Sequence, residues 1–159
     1  MTGKTHIMGG VAICVALASI TNYDPILLTA AGAAGGLIPD ICHRGSKIGR
    51  KFPILSKVIS VLFGHRTFTH SLLFLVIVGV LLSMFVPIQA VQVGVLVGMV
   101  SHLILDAATK NGIKLLYPSK KTVRLPFTTT TGGTVEYIIL IGLTMIVVYF
   151  GQGVFTNYL

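Results

Sequence analysis

The chain has 159 residues, of which 53% are hydrophobic and only 10% charged; its net charge is +8 and its mean hydropathy +0.90. An ordinary soluble domain carries about 25% charged residues, so a water-soluble globular enzyme is excluded. Residues 1–159 read as a single integral membrane domain. The expected fold is all-α, a polytopic bundle of about five spans with a short interfacial helix. Trp is absent, which excludes a Trp belt and leaves Tyr and Phe for the membrane interface.

In chain order, the first apolar segment runs from Ile7 to Ile20, after Lys4. Its weak basic start and Ala16-Leu17-Ala18 resemble a signal peptide, but cleavage is not expected, because the product would still be mostly membrane-embedded. The second segment, Pro25 to Ile38, is short and rich in Gly and Ala. It is either a full crossing or a re-entrant hairpin, with Gly32, Gly35 and Gly36 allowing close helix contact. Asp24-Pro25 reads as a helix start.

A basic loop over about 39–70 follows. Within it "PILSKVISVLF", residues 53–63, places Ser56, Lys57 and Ser60 on one helical face, with Pro53 in the first turn. This is the expected interfacial helix; packing on the spans is the alternative. The third segment is Ser71 to Val86 and the fourth Ala90 to Ala108. A second basic loop, about 109–133, closes with "TTTTGG", a turn and helix-cap composition. The fifth segment is Thr134 to Phe150.

All twelve Lys and Arg residues fall before segment one or in the two long loops. The short connections and the tail after Phe150 contain none. The positive-inside rule therefore puts the N-terminus in the cytoplasm and the C-terminus outside. It also accounts for the net charge without nucleic acid. Cys14 lies in an apolar segment and Cys42 in a polar loop, which is no disulfide framework.

The ionisable residues gather at the cytoplasmic ends of the expected spans. His102 and Asp106 share a helix face at i, i+4 spacing, and such groups near the end of an apolar segment are costly unless paired or coordinated. Thr5-His6 and Thr69-His70 each open a two-span hairpin that an acid closes. His6 to Asp40 spans 34 residues and His70 to Asp106 spans 36. Several imidazoles and carboxylates without thiolate pairs suit one or two divalent ions of the zinc or manganese type. Asp40, His70, His102 and Asp106 are first-choice ligands, followed by His6 and His43. Glu136 and His65 are candidate catalytic bases; for Glu136 the alternative is a favourable carboxylate at a helix start. Arg44 and Arg66 are candidate phosphate ligands, with lipid headgroup attraction as the alternative.

The motifs "KTHIMGG" (4–10), "LIPDICH" (37–43), "HRTFTHS" (65–71) and "SHLILDAAT" (101–109) resemble the family of LexA-regulated, inner-membrane metal-dependent hydrolases. The resemblance runs through "GIKLLYP" at 112–118. It implies a multi-pass protein of the bacterial cytoplasmic membrane. By matching positions it points to His6, Asp40, His43, His70, His102 and Asp106 as the site, with His65 and Arg66 beside it. Members of the family often read Pro-Asp-x-Asp-His at the second motif, where this chain has Cys42; that residue is an uncertain ligand.

The expected activity is metal-dependent hydrolysis at the cytoplasmic membrane face, on a phosphoester of a lipid or isoprenoid-type substrate. The expected partner is a membrane lipid or lipid-linked substrate and not nucleic acid, and a homo-oligomer is compatible with the sequence. The competing readings are an ion or proton-coupled transporter using the His/Asp cluster and a scaffold with a structural metal site.

Overall fold

The computed structural model describes residues 1–64 and 66–158, the side chain of Asn157 excepted. It is all-helical. Among the described residues the α-helices follow in order: α1 Gly3–Ala18, α2 Pro25–Gly35, α3 Lys47–Lys51, α4 Pro53–Phe63, α5 Leu72–Phe85, α6 Gln89–Ala107 and α7 Thr134–Tyr158. Short 3-10 turns at Ile38–Cys42 and Phe68–His70 precede α3 and α5. Among the described residues there is no strand ladder, only isolated bridges that pair Thr109 with Thr129 and Ile113 with Val123.

Among the described residues, three stretches are long and apolar enough to cross a membrane: Pro25–Cys42, Gln89–Ala107 and Thr134–Thr156. The helices α1, α4 and α5 are apolar but shorter. The start of α2 is set as the Asp24-Pro25 pair implies: Asp24 accepts a hydrogen bond from the Leu27 amide at 2.8 Å, and Pro25 occupies the first turn. The α5 start is capped by Ser71, which accepts from the Phe74 amide.

The helices α1, α2 and α6 form the centre, α7 lies along α1, and α5 lies along α6. Glycine sets the central spacing. A Cβ on Gly98 of α6 would fall on the Gly32 carbonyl oxygen of α2, and one on Gly10 of α1 would meet the same oxygen. Backbones this close are a membrane-protein device: lipid offers no hydrophobic drive between helices, so small residues gain van der Waals contact instead.

Outside this centre the apolar side chains turn outward. The most apolar long stretch, Thr134–Thr156, buries none of its hydrophobic window. On α4, Ser56 is buried while Ile54, Val61 and Leu62 are exposed. A surface of this kind is unfavourable in water and carries no penalty in a lipid solvent.

The long helices alternate in direction. Thr5 in the first turns of α1 bonds Glu136 in the first turn of α7. At the opposite end, Tyr158 bonds Asp24. The starts of α1, α5 and α7 and the ends of α2 and α6 therefore meet at one end of the bundle, and both long basic loops emerge there.

Candidate metal centre

At that end Asp40, His70, His102 and Asp106 each offer one ligand atom, all within 4.8 Å of one another. They come from the 3-10 turn after α2, the 3-10 turn before α5, and two successive turns of α6. His70 Nε2 lies 3.2 Å from His102 Nε2 and 3.3 Å from Asp106 Oδ2. His102 Nε2 is 3.6 Å from the same Oδ2. Asp40 Oδ1 stands 3.8 Å from both imidazole nitrogens. Zinc–nitrogen bonds of about 2.0–2.1 Å put the ligand atoms of a tetrahedral site about 3.3–3.4 Å apart. The His70–His102–Asp106 spacings bracket that edge length, and Asp40 sits slightly outside it.

The hydrogen bonding around the rings suits metal ligation. His102 Nδ1 lies 2.7 Å from the Gly36 carbonyl oxygen. A carbonyl only accepts, so Nδ1 carries the proton and Nε2 keeps its lone pair toward the cluster. His70 Nδ1 is 3.1 Å from Thr69 Oγ1. Burial pushes the His70 imidazole down to about 4, against the opposing pull of Asp106. It is therefore neutral at physiological pH, the form a metal ion binds.

The structure draws two further groups to the same carboxylate. His6 stacks on His102 with ring centroids 3.6 Å apart, and its Nε2 is 3.2 Å from Asp106 Oδ1. Arg66 Nη2 lies 3.3 Å from Asp106 Oδ2, and its Nη1 donates to Thr109 Oγ1 at 3.3 Å. The Met1 α-amino group also pairs with Asp106. Even so, both ring nitrogens of His6 and Asp106 Oδ2 are buried without a properly directed hydrogen bond. Buried polar atoms are rarely left this way. Unsatisfied imidazole nitrogens on α1 beside an unsatisfied carboxylate oxygen on α6 adjoin a His/Asp group that could hold a metal ion.

The other sequence-derived candidates are placed differently. His43 is exposed and, like Asp40, lines a cavity beside the cluster without joining the four ligand atoms. Cys42 is buried, with its thiol 3.6 Å from the Pro39 carbonyl oxygen, outside the group. Arg44 is exposed and does not line that cavity. His65 lies outside the described residues.

Glu136 is buried and accepts from the Thr2 amide at 2.6 Å, Thr5 Oγ1 at 2.5 Å and the Gly132 amide at 2.7 Å. It ties the "TTTTGG" turn and α7 to the start of α1. Removing it strands these donors, and an unsatisfied buried donor costs about 1–3 kcal/mol. The Glu136→Ala variant is expected to melt several degrees lower in detergent while retaining bound metal. Loss of metal with an unchanged melting temperature would contradict this clamp.

One part of the site carries no sequence signal, and a second, Arg66, reads in the sequence as a phosphate ligand and not as a partner of Asp106. The Gly36 carbonyl is a backbone group, and its role depends on α2 meeting α6. Arg66 is turned onto Asp106 from a left-handed backbone conformation, φ 57°, which is uncommon for a residue with a side chain.

Comparison with known proteins agrees with a membrane protein. The profile of the family described as YdjM inner membrane protein matches residues 1–158. The chain is 59% identical to YvsG of Bacillus subtilis (strain 168) over 150 residues, covering 94% of each chain. It is 34% identical to the inner membrane protein YdjM of Escherichia coli (strain K12) over 139 residues, covering 79% of this chain and 70% of that one. The YdjM of Shigella flexneri matches to the same extent. No solved structure matches. The buried His/Asp cluster thus belongs to a membrane protein, and the chain is a member of the YdjM inner membrane protein family.

Proposed function

We propose that this protein is a multi-pass, membrane-embedded, metal-dependent hydrolase. It acts at the cytoplasmic face on a phosphoester of a lipid or isoprenoid-type substrate. The observation that carries the reading is the tight trio of His70, His102 and Asp106, with Asp40 set wider on its open side. Catalytic zinc sites use three protein ligands and keep a position for water, whereas structural sites close with four. The resemblance to a family of metal-dependent hydrolases points the same way.

His70, His102 and Asp106 would hold the ion, with Asp40 facing the position left for water, and zinc or manganese suits their donor chemistry. Bound there, a divalent ion supplies Lewis-acid polarisation and a water of lowered pKa. The protein's own part is to orient and to exclude. Gly36 fixes the His102 tautomer, Arg66 holds Asp106, and His6 stacks behind His102. An outer group that fixes a metal-binding histidine typically matters about 10- to 100-fold in affinity or activity. With three donors on its carboxylate, Glu136 serves in this reading as a clamp and not as the base.

The orientation follows from charge. The cluster shares its end of the bundle with both basic loops, and the positive-inside rule makes that end cytoplasmic. One experiment tests face and chemistry together. Metal-loaded protein in inverted inner-membrane vesicles should release product from added phospholipids or polyprenyl phosphates, and right-side-out vesicles should not. Absence of product across the panel in both orientations would refute the hydrolase. Release only from right-side-out vesicles would refute the orientation.

A further inference from the structure

Of the four clustered residues, His70, His102 and Asp106 have no exposed side-chain surface, while Asp40 is 14% exposed. Asp40 also lines a cavity of about 450 Å³, so the cluster opens toward this space. Lys4 of α1 and Lys47 and Arg50 of α3 line the same cavity. The aliphatic stem of Lys47 lies over Gly3, where a Cβ would be 3.9 Å from its Cδ.

These cations lack a carboxylate partner, and the composition explains why. The chain has only four acidic residues. Asp24 is at the opposite end, bonded to Tyr158. Asp106 is inside the cluster, and Asp40 faces its imidazoles. Glu136 borders the cavity, but its oxygens accept from Thr2, Thr5 and Gly132. Among the described residues, no carboxylate forms an ion pair with Lys4, Lys47 or Arg50. A concave space with three cations that pair with no carboxylate among the described residues, against Asp40 and Glu136 on its lining, favours anions, and an Arg among them favours the forked geometry of a phosphate.

The remaining wall is apolar. Tyr137 and Leu140 of α7 line the cavity, and the same helix continues as an exposed apolar face through Ile138, Ile141 and Met145. A ligand with its charge at Lys47 and Arg50 would have the apolar side chains of α7 beside its tail. The volume falls within the range of small-molecule sites, about 300–1,000 Å³.

We infer that this cavity is the substrate subsite and that Lys4, Lys47 and Arg50 grip the phosphate of an amphiphile whose apolar tail leaves along α7. The inference rests on the proposed hydrolase for its purpose but concerns binding, which is measured separately. Arg44, the candidate from the sequence, lies outside the lining.

The test uses the full-length protein in detergent, with native mass spectrometry to count retained ligand. The probes are phosphatidic acid, phosphatidylcholine, glycerol 3-phosphate and inorganic phosphate. Phosphatidic acid should be retained in preference to the other three. A charge-assisted hydrogen bond lost in the Lys47→Gln/Arg50→Gln double variant should weaken that retention about tenfold or more. The Lys120→Gln/Lys121→Gln variant removes equal charge from the other loop and should leave it within about twofold. Size-exclusion elution and metal content establish that each variant is folded.

Equal weakening in both double variants would mean general surface attraction and overturn the subsite. Equal retention of inorganic phosphate and phosphatidic acid would overturn the place of the apolar tail along α7. Hydrolysis that survives unchanged in Lys47→Gln/Arg50→Gln would reject the subsite and leave the hydrolase standing. Selective retention without turnover in metal-loaded protein would do the reverse.

Discussion

Asp106→Ala should abolish metal binding. Asp106 is the hub of the site: it approaches His6, His70, His102 and Arg66 at 3.2 to 3.6 Å. Replacing an outer partner of a metal ligand typically costs about 10- to 100-fold in affinity, and loss of a ligand at this junction should exceed that. Purified wild-type protein supplied with zinc or manganese is expected to hold at least one ion per chain, and the variant less than about a tenth of that.

The variant also leaves the largely buried Arg66 guanidinium without its partner. Breaking a buried charge pair by removing one side costs about 3–5 kcal/mol; at 17% exposure Arg66 should fall toward the low end. Asp106→Asn keeps the shape and separates folding from ligation: it should stay folded and still lose the ion. His43→Ala, whose ring is outside the ligand group, should retain metal. Elemental mass spectrometry on the protein peak decides the matter. Full metal occupancy in Asp106→Asn would refute the assignment of this cluster.

Gly98→Ala should be among the most damaging conservative changes in the spans. Its Cβ would occupy the position of the Gly32 carbonyl oxygen. Because both partners are backbone, no side chain can swing aside, and α2 and α6 must separate. Overpacking of this kind costs about 1–3 kcal/mol, and for a chain of this length each kcal/mol lowers Tm by about 2–4 °C. The damage should reach the site, since His102 lies one turn beyond Gly98 and its Nδ1 needs the Gly36 carbonyl of the α2 end.

Reduced zinc affinity should therefore accompany the lower Tm. Gly142 of α7 is the control, with nothing within 4 Å of a Cβ built there. Gly142→Ala should be neutral, or stabilising by up to about 1 kcal/mol through helix propensity. A Gly98→Ala protein that melts with the wild type would contradict the close packing.

Much of this organisation is legible in the sequence. The hydrophobic segments and the one-sided placement of basic residues give an all-helical membrane domain, because apolar length and Lys/Arg asymmetry are properties of the chain and not of its packing. The i, i+4 spacing of His102 and Asp106 requires only a helix. The pairing of Thr-His entries with acid exits brings Asp40 and His70 to the same end, since each hairpin of two helices returns to where it began.

What the sequence leaves open is settled by contact between distant segments. His43, Asp40 and Cys42 stand within four positions of one another and all read as ligand candidates, Asp40 first, His43 after it and Cys42 uncertain. The 3-10 turn over Ile38–Cys42 separates them: Asp40 faces the imidazoles, Cys42 turns inward onto Pro39, and His43 is left exposed. Glu136 reads as a free carboxylate at a helix start until Thr2, Thr5 and Gly132 converge on it. Arg44 and Arg66 look alike in the chain, yet Arg66 is turned onto Asp106 while Lys4, Lys47 and Arg50 frame the cavity. Composition and periodicity determined the class of protein and the end of the bundle where ionisable groups collect, because these follow from local solvation. Only the tertiary structure decided which of those groups meet, because a ligand set a few ångströms across depends on how closely glycine lets three helices approach.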